Sequence, residues 1–291
     1  MKKLLSFLGH QEWLRFGLRD RIIRFFHNPD TCNSETFEVP FFGLRYSGNF
    51  DTFIDWSTYY YGAYSKYELI CMRDILAPIK NPVVFDIGAN IGHHSLFASS
   101  IASIVHSFEP YQPVVQKLKQ KIEINSLLNL NLHEIGVGNV NEIKPFSPPT
   151  SHNTGTGSFN TEETENDVIK LKIARVDDYF KKNELSKIDF IKMDIEGYEI
   201  EALKGMQSTL STFRPIFFFE WSQNKINSEI ESCEALFPEN YTFYLFRSQI
   251  PKYMFFQAQG YRLEKLTTNW FDGNLLAVPN ERIEQIARCN A

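Results

Sequence analysis

The stretch Val83-Val84-Phe85-Asp86-Ile87-Gly88-Ala89-Asn90-Ile91-Gly92 constrains this chain more than any other. Val83 to Phe85 form an unbroken apolar run, which predicts a strand covered on both faces, as in a parallel sheet. A glycine-bearing turn follows, then a helix starting near His93 or His94. Gly88 and Gly92 permit a backbone that other residues resist and a close approach of a ligand, and the helix start adds free N–H groups. A second apolar run, Ile104 to Phe108, stops at Glu109, 23 residues after Asp86. A strand–helix–strand unit brings a carboxylate at about that spacing to the ribose hydroxyls of a nucleoside. Turn and carboxylate together predict a nucleoside-containing cofactor.

The glycine spacing excludes a nicotinamide dinucleotide. A G-x-G-x-x-G fingerprint counted from Gly88 needs glycine where Asn90 and His93 stand. Asp86, at the strand end, can accept hydrogen bonds from an ammonium group or from loop amides. That suits a cofactor with an amino-acid portion and no pyrophosphate. The run D-x-G-A-N-x-G, carried by Asp86, Gly88, Ala89, Asn90 and Gly92, resembles the first motif of class I S-adenosylmethionine-dependent methyltransferases, and most closely that of the FkbM family.

A second stretch, Ile188 to Glu199, is again an apolar strand that stops at carboxylates, Asp194 and Glu196, before a glycine and a helix. Open α/β sheets bind ligands at such strand ends. It resembles the FkbM signature K-x-D-x-E-G-x-E, with Lys192, Asp194, Glu196, Gly197 and Glu199 in their places. Lys192 and Glu199 also fit as plain surface charges, whereas Asp194 at the strand terminus does not.

The resemblance covers roughly residues 62–280. It implies a Rossmann-like α/β fold: a seven-stranded methyltransferase sheet, mostly parallel with an antiparallel last strand, and helices on both faces. It implies S-adenosyl-L-methionine as cofactor, held by Asp86, Gly88, Ala89, Asn90, Gly92, Glu109 and Asp194. Val137, at the end of a third strand expected from Leu130 to Val137, would cover the adenine. The implied reaction is methyl transfer to an oxygen, commonly a hydroxyl of a sugar or a glycosylated metabolite. Such a reaction needs alignment and a proton acceptor. Asp194 is the first candidate for that base, with Glu196 supporting the turn. His152 is a further candidate, in a Gly- and Pro-containing segment, 145–160, expected to be a polar lid over the sheet edge. Alternatively, Asp194 and Glu220, on neighbouring strand ends, hold Mg²⁺.

Residues 1–61 form an N-terminal extension and 62–291 the methyltransferase domain. Within 2–27, six basic residues face Glu12 and Asp20, a charge of +4 that leaves −9 for the rest of a chain of net −5. Leu4, Leu8, Leu14, Leu18, Ile22 and Phe26 recur at helical spacing. One basic amphipathic helix is expected, docked on its own domain, or else lying on a membrane surface or a partner. Residues 112–126 predict a helix with Val114, Val115, Leu118 and Ile122 inward and Lys117, Lys119 and Lys121 outward. The tyrosines around Tyr59 to Tyr61 are edge packing or a platform for sugar rings.

The negative net charge argues against a nucleic-acid partner bound through a general basic surface. Four scattered cysteines without a C-x-x-C pair fit a reduced, cytoplasmic-type environment. A competing reading is a non-catalytic adapter that keeps the fold and binds a partner through the N-terminal helix and the 145–160 loop.

Overall fold

A computed structural model describes residues 1–149, 157, 159, 168–181, 185–221, 233–248, 253–267 and 273–290. The chain opens with helices α1 (Lys2–Gly9) and α2 (Phe16–Phe26), the hairpin strands β1 (Thr36–Phe41) and β2 (Leu44–Asn49), and helices α3 (Phe53–Tyr61) and α4 (Lys66–Leu76). Strand β3 (Val83–Ile87), helix α5 (His93–Ser99), strand β4 (Ile104–Phe108), helix α6 (Gln112–Asn125) and strand β5 (Leu130–His133) follow. Next come β6 (Gly136–Val137), β7 (Glu142–Phe146), β8 (Ile169–Ala174) and helix α7 (Val176–Phe180). Strand β9 (Phe190–Met193), helices α8 (Glu199–Lys204) and α9 (Gln207–Phe213), and strands β10 (Ile216–Trp221), β11 (Tyr241–Arg247), β12 (Arg262–Lys265) and β13 (Gly273–Pro279) follow, with 3₁₀ helices at Cys233–Leu236 and Asn280–Asn290.

The main sheet has the order β12-β11-β13-β10-β9-β3-β4-β5. Strands β3, β4, β5, β9 and β10 run parallel, and β13 pairs antiparallel with both β10 and β11. Without β12 this is the seven-stranded arrangement expected from the sequence. The eighth strand, β12, adds an antiparallel edge. Its charged residues Arg262, Glu264 and Lys265 discourage further strand pairing.

Side-chain alternation along the buried strands divides the core between the two faces of the sheet. Phe85, Ile87, Ile191, Met193, Phe217 and Phe219 pack with Leu203, Met206 and Leu210. Val84, Val105, Phe190, Ile216 and Phe218 pack with Leu69, Met72, Leu96 and Phe97 on the other side. All five residues of β3 are buried, as a two-sided central strand requires.

Four expectations need correction. The predicted third core strand splits: β5 ends at His133, and Gly136–Val137 leaves to pair with β8 in a separate three-stranded sheet, β6-β8-β7. The start of the expected polar lid is not loop. Pro145 and Phe146 belong to β7, and Phe146 packs with Phe159, Ile173 and Tyr198 in a buried cluster. His152 and most of the intervening segment lie outside the described residues.

The N-terminal segment forms two helices, not one. Between them the backbone turns to strand-like pairing: the Arg15 N–H donates to the Phe255 carbonyl and the Gln257 N–H to the Trp13 carbonyl. A tertiary partner overrides the helical periodicity there. Helix α1 lies tight on α3, since a Cβ at Gly9 would stand 2.0 Å from the Tyr60 carbonyl oxygen.

Lys121, expected in solvent, is buried. Its side chain is 1% exposed, as is that of Asp55 in α3, and the two lie 3.9 Å apart. The ammonium also sits 4.6 Å from the centre of the Tyr46 ring. All four cysteines are free thiols. Among the described residues no helix is long and apolar enough to cross a membrane.

Candidate active site

The carboxyl edges of β3, β4 and β9 converge on one cavity. Gly88, Ala89, Asn90, Glu109, Val137, Asp194 and Glu196, all singled out from sequence, line it. Asp86 and Gly92 do not.

Glu109 is 8% exposed. One carboxylate oxygen accepts the Asn90 N–H and the other the Tyr111 N–H, each at 2.9 Å. Burial pushes its pKa up to about 7, against the pull of those two N–H groups. Each oxygen keeps a second lone pair, so the carboxylate retains capacity for hydroxyl donors. Asn90 adopts φ of 50° to present its N–H, a conformation that asparagine tolerates better than most residues.

The protein's own packing requires both glycines. A Cβ at Gly88 would lie 1.9 Å from the Asp194 carbonyl oxygen, and one at Gly92 would lie 2.3 Å from Leu118 of α6. Their positive φ values, 81° and 82°, reinforce the requirement. The ammonium group that Asp86 meets also belongs to the protein. Asp86 is fully buried, accepts the Ser95 hydroxyl at 2.5 Å, and has Lys192 Nζ 3.8 Å from its other oxygen.

Lys192 and Glu199 are not surface charges. Both are buried, and a Glu199 oxygen accepts the Gly197 N–H at 3.1 Å, bracing the turn after β9. The Lys192 ammonium also lies 3.4 Å from Asp194, whose side chain is 46% exposed. Burial works against that charge, but Asp194, Asp86 and Glu68 outweigh it and hold the lysine pKa above its ordinary value. A lysine inside the short apolar strand Phe190–Met193 was the available sign of this role.

Tyr64, His93 and His94 also line the cavity, and the sequence reading had not chosen them. His93 Nε2 accepts the Tyr64 N–H at 3.1 Å. Burial, then the charges of His94, Lys121 and Lys192, keep the His93 ring neutral by lowering its pKa well below the ordinary value. His94 Nε2 lies 3.5 Å from Glu68. None of the three belongs to a glycine motif, and Tyr64 meets His93 only through the packing of the turn before α4 against α5.

The proposed Mg²⁺ site is not supported. Among the described residues no group of three or more His, Cys, Asp or Glu side chains is placed to hold a metal ion. Of the two expected ligands, Asp194 already faces an ammonium that competes with any cation, and Glu220 is an exposed residue of β10. An octahedral ion bound mainly through carboxylates gains little from that pair.

Residues 86–263, more than half of the chain, match the methyltransferase FkbM domain. The chain belongs to that family. It is 28% identical over 133 residues to the hexuronic acid methyltransferase AglP of Haloferax volcanii, a match covering 46% of this chain and 53% of that protein. The chain thus spans about half the length of this curated relative. Among solved structures it is similar to the methyltransferase FkbM of Methylobacillus flagellatus, with 16% identity, 76% and 52% of the two chains covered, and a TM-score of 0.41. It is also similar to a SAM-dependent methyltransferase of Agrobacterium tumefaciens, with 9% identity, 87% and 72% covered, and a TM-score of 0.46.

Proposed function

We propose that this enzyme moves the methyl group of S-adenosylmethionine to a hydroxyl of a sugar, in a glycan or a glycosylated metabolite. The observation that carries the reading is one cavity lined by Glu109, just past β4, and by Asp194 and Glu196, just past β9. Glu109 is pinned by backbone N–H groups and fits a ribose diol. Asp194, more open, fits the acceptor side. The relative's name, a hexuronic acid methyltransferase, favours a carbohydrate acceptor.

Bound S-adenosylmethionine supplies a methyl group activated by its sulfonium. The protein's tasks are to orient and to accept a proton. Glu109 holds the ribose hydroxyls, and Val137 in β6 covers the adenine. Asp194 would accept the proton that the acceptor hydroxyl gives up when its oxygen takes the methyl group the cofactor supplies. Lys192, 3.4 Å away, fixes the direction of that carboxylate. Glu196, at φ of 49°, supports the turn that places it. Positioning of this kind contributes a large share of the rate, and general base catalysis adds roughly 10²–10⁴-fold.

The test is titration calorimetry with S-adenosylmethionine, followed by release of S-adenosylhomocysteine across a panel of sugars. Micromolar cofactor binding with sugar-dependent release is expected. Preference for NAD, or release that no sugar stimulates, overturns the reading.

A further inference from the structure

Helices α1 and α2 each dock by one face, and their other faces carry large apolar side chains into solvent. On α1 the buried residues are Leu5 and Gly9, and on α2 they are Arg19 and Ile23. The two helices pack side by side, since a Cβ at Gly9 would stand 3.2 Å from Ile23 Cδ1. Away from that contact, Leu4 and Phe7 of α1 are 72% and 68% exposed, and Phe25 of α2 is 82% exposed. Leu18, Arg21 and Phe25, all exposed, share one stripe of α2 by their spacing of three and four residues.

A segment from far along the chain extends this surface. Tyr253, Met254, Phe255 and Phe256 are all exposed. They lie against the link between the two helices: Phe256 stacks on Trp13 at 5.7 Å, and the Phe255 carbonyl accepts the Arg15 N–H. Gln11 ties Trp13 back to α1, accepting the indole N–H at 3.2 Å and donating to the Phe7 carbonyl at 2.9 Å. Apolar side chains gathered in solvent from two separate segments mark an interaction surface.

The charge of the same region indicates what covers it. Lys2 pairs with Glu35 and Arg24 with Asp20, while Arg19 is buried. Lys3, Arg15 and Arg21 are exposed, and no carboxylate among the described residues pairs with them. A second copy of the chain is a poor cover, because a two-fold contact sets this positive surface against itself. A bilayer with anionic headgroups meets both needs, with an acyl boundary for the apolar tips and negative charge for the cations.

We infer that the outer face of α1 and α2, together with residues 253–256, docks this protein on an anionic lipid surface. The contact is peripheral, with the rings at the headgroup boundary and Lys3, Arg15 and Arg21 among the phosphates. It stands on this surface alone and does not depend on the methyl-transfer reading above.

The experiment measures co-sedimentation of the full chain with vesicles of phosphatidylcholine alone and of phosphatidylcholine with about one third phosphatidylglycerol. Binding to the anionic vesicles is expected to be at least about tenfold tighter, and to weaken several-fold between about 0.1 and 0.5 M salt. Combining Phe7→Ser with Phe25→Ser is expected to reduce that binding about tenfold. Combining Lys3→Glu, Arg15→Glu and Arg21→Glu is expected to remove the preference for anionic vesicles. Should either variant fail to fold, tryptophan quenching by brominated phosphatidylcholine in anionic vesicles decides in its place, and it is expected in the wild type and lost in Trp13→Phe. Equal binding to both vesicles, binding to neither, or quenching unchanged by Trp13→Phe overturns the assignment. So does dimerisation without vesicles that Phe7→Ser with Phe25→Ser abolishes, which gives the face to a second copy.

Discussion

Lys192 Nζ lies 3.4 Å from the Asp194 carboxylate, joining a buried cation to a carboxylate that is 46% exposed. On its other side the same ammonium faces the fully buried Asp86 at 3.8 Å. One side chain thus balances a buried charge and orients the more open carboxylate of the cavity.

That double role separates two variants. Lys192→Met leaves Asp86 buried without its cation and is expected to cost about 3–5 kcal/mol of stability. Asp194→Asn, at a half-exposed position, should shift stability by no more than about 0.5 kcal/mol yet lower kcat by roughly 10²-fold or more. Thermal unfolding and single-turnover transfer measure the two effects. Full transfer by a folded Asp194→Asn removes Asp194 as the base.

Glu109 is expected to set the pH dependence of cofactor binding. Its pKa is pushed up to about 7 in the free protein by burial, and the ionised form is the better acceptor for ribose hydroxyls. S-adenosylmethionine affinity should therefore be full above pH 8 and fall as the pH drops through 7, by roughly tenfold per unit well below it. Glu109→Ala should weaken binding by about 1.5–3 kcal/mol and flatten the profile. Calorimetry from pH 5.5 to 8.5 checks both, and a wild-type profile as flat as the variant's rules the role out.

The lysines of α6 should differ sharply. Lys119 makes a surface ion pair with Glu134, and such pairs contribute about 0–1 kcal/mol. Lys121 is sealed against Asp55, which also accepts the Tyr46 hydroxyl at 2.7 Å and the Asn49 N–H at 3.0 Å. Lys121→Ala should cost about 3–5 kcal/mol, and Asp55→Asn on that background should restore part of it. Equal denaturation midpoints for Lys119→Ala and Lys121→Ala would contradict this account.

His106 Nδ1 lies 2.9 Å from His133 Nε2, and His133 Nδ1 lies 3.0 Å from the Tyr179 hydroxyl. Burial lowers both histidine pKa values to about 4, with the neighbouring His106 adding to the effect at His133. An unfolded histidine takes its proton near pH 6.5, so the folded state binds fewer protons between the two values. Stability from this pair should be complete above pH 6.5 and decline as the pH falls toward 4. Replacing both with Gln should flatten the Tm-versus-pH curve over that interval, and an unchanged slope assigns the acid sensitivity elsewhere.

The sequence by itself determined the central sheet and the place of the site. Apolar runs ending in Asp86, Glu109 and Asp194 are local signals: a strand buried on both faces must be apolar, and its polar end must lie at the sheet's edge, where ligands bind. Only the tertiary structure decided which charges go inside. Lys121 matches the solvent face of α6 by periodicity, yet its partner Asp55 stands 66 residues earlier and reaches it only once α3 has docked. Lys192 and Asp86 are likewise accounted for by groups that meet across elements. The same holds for backbone turns: the helix breaks before Arg15 because residues 255–257 supply its hydrogen-bond partners. A charged side chain can be buried when a distant segment supplies its counter-charge, and local hydrophobic periodicity carries no information about that segment.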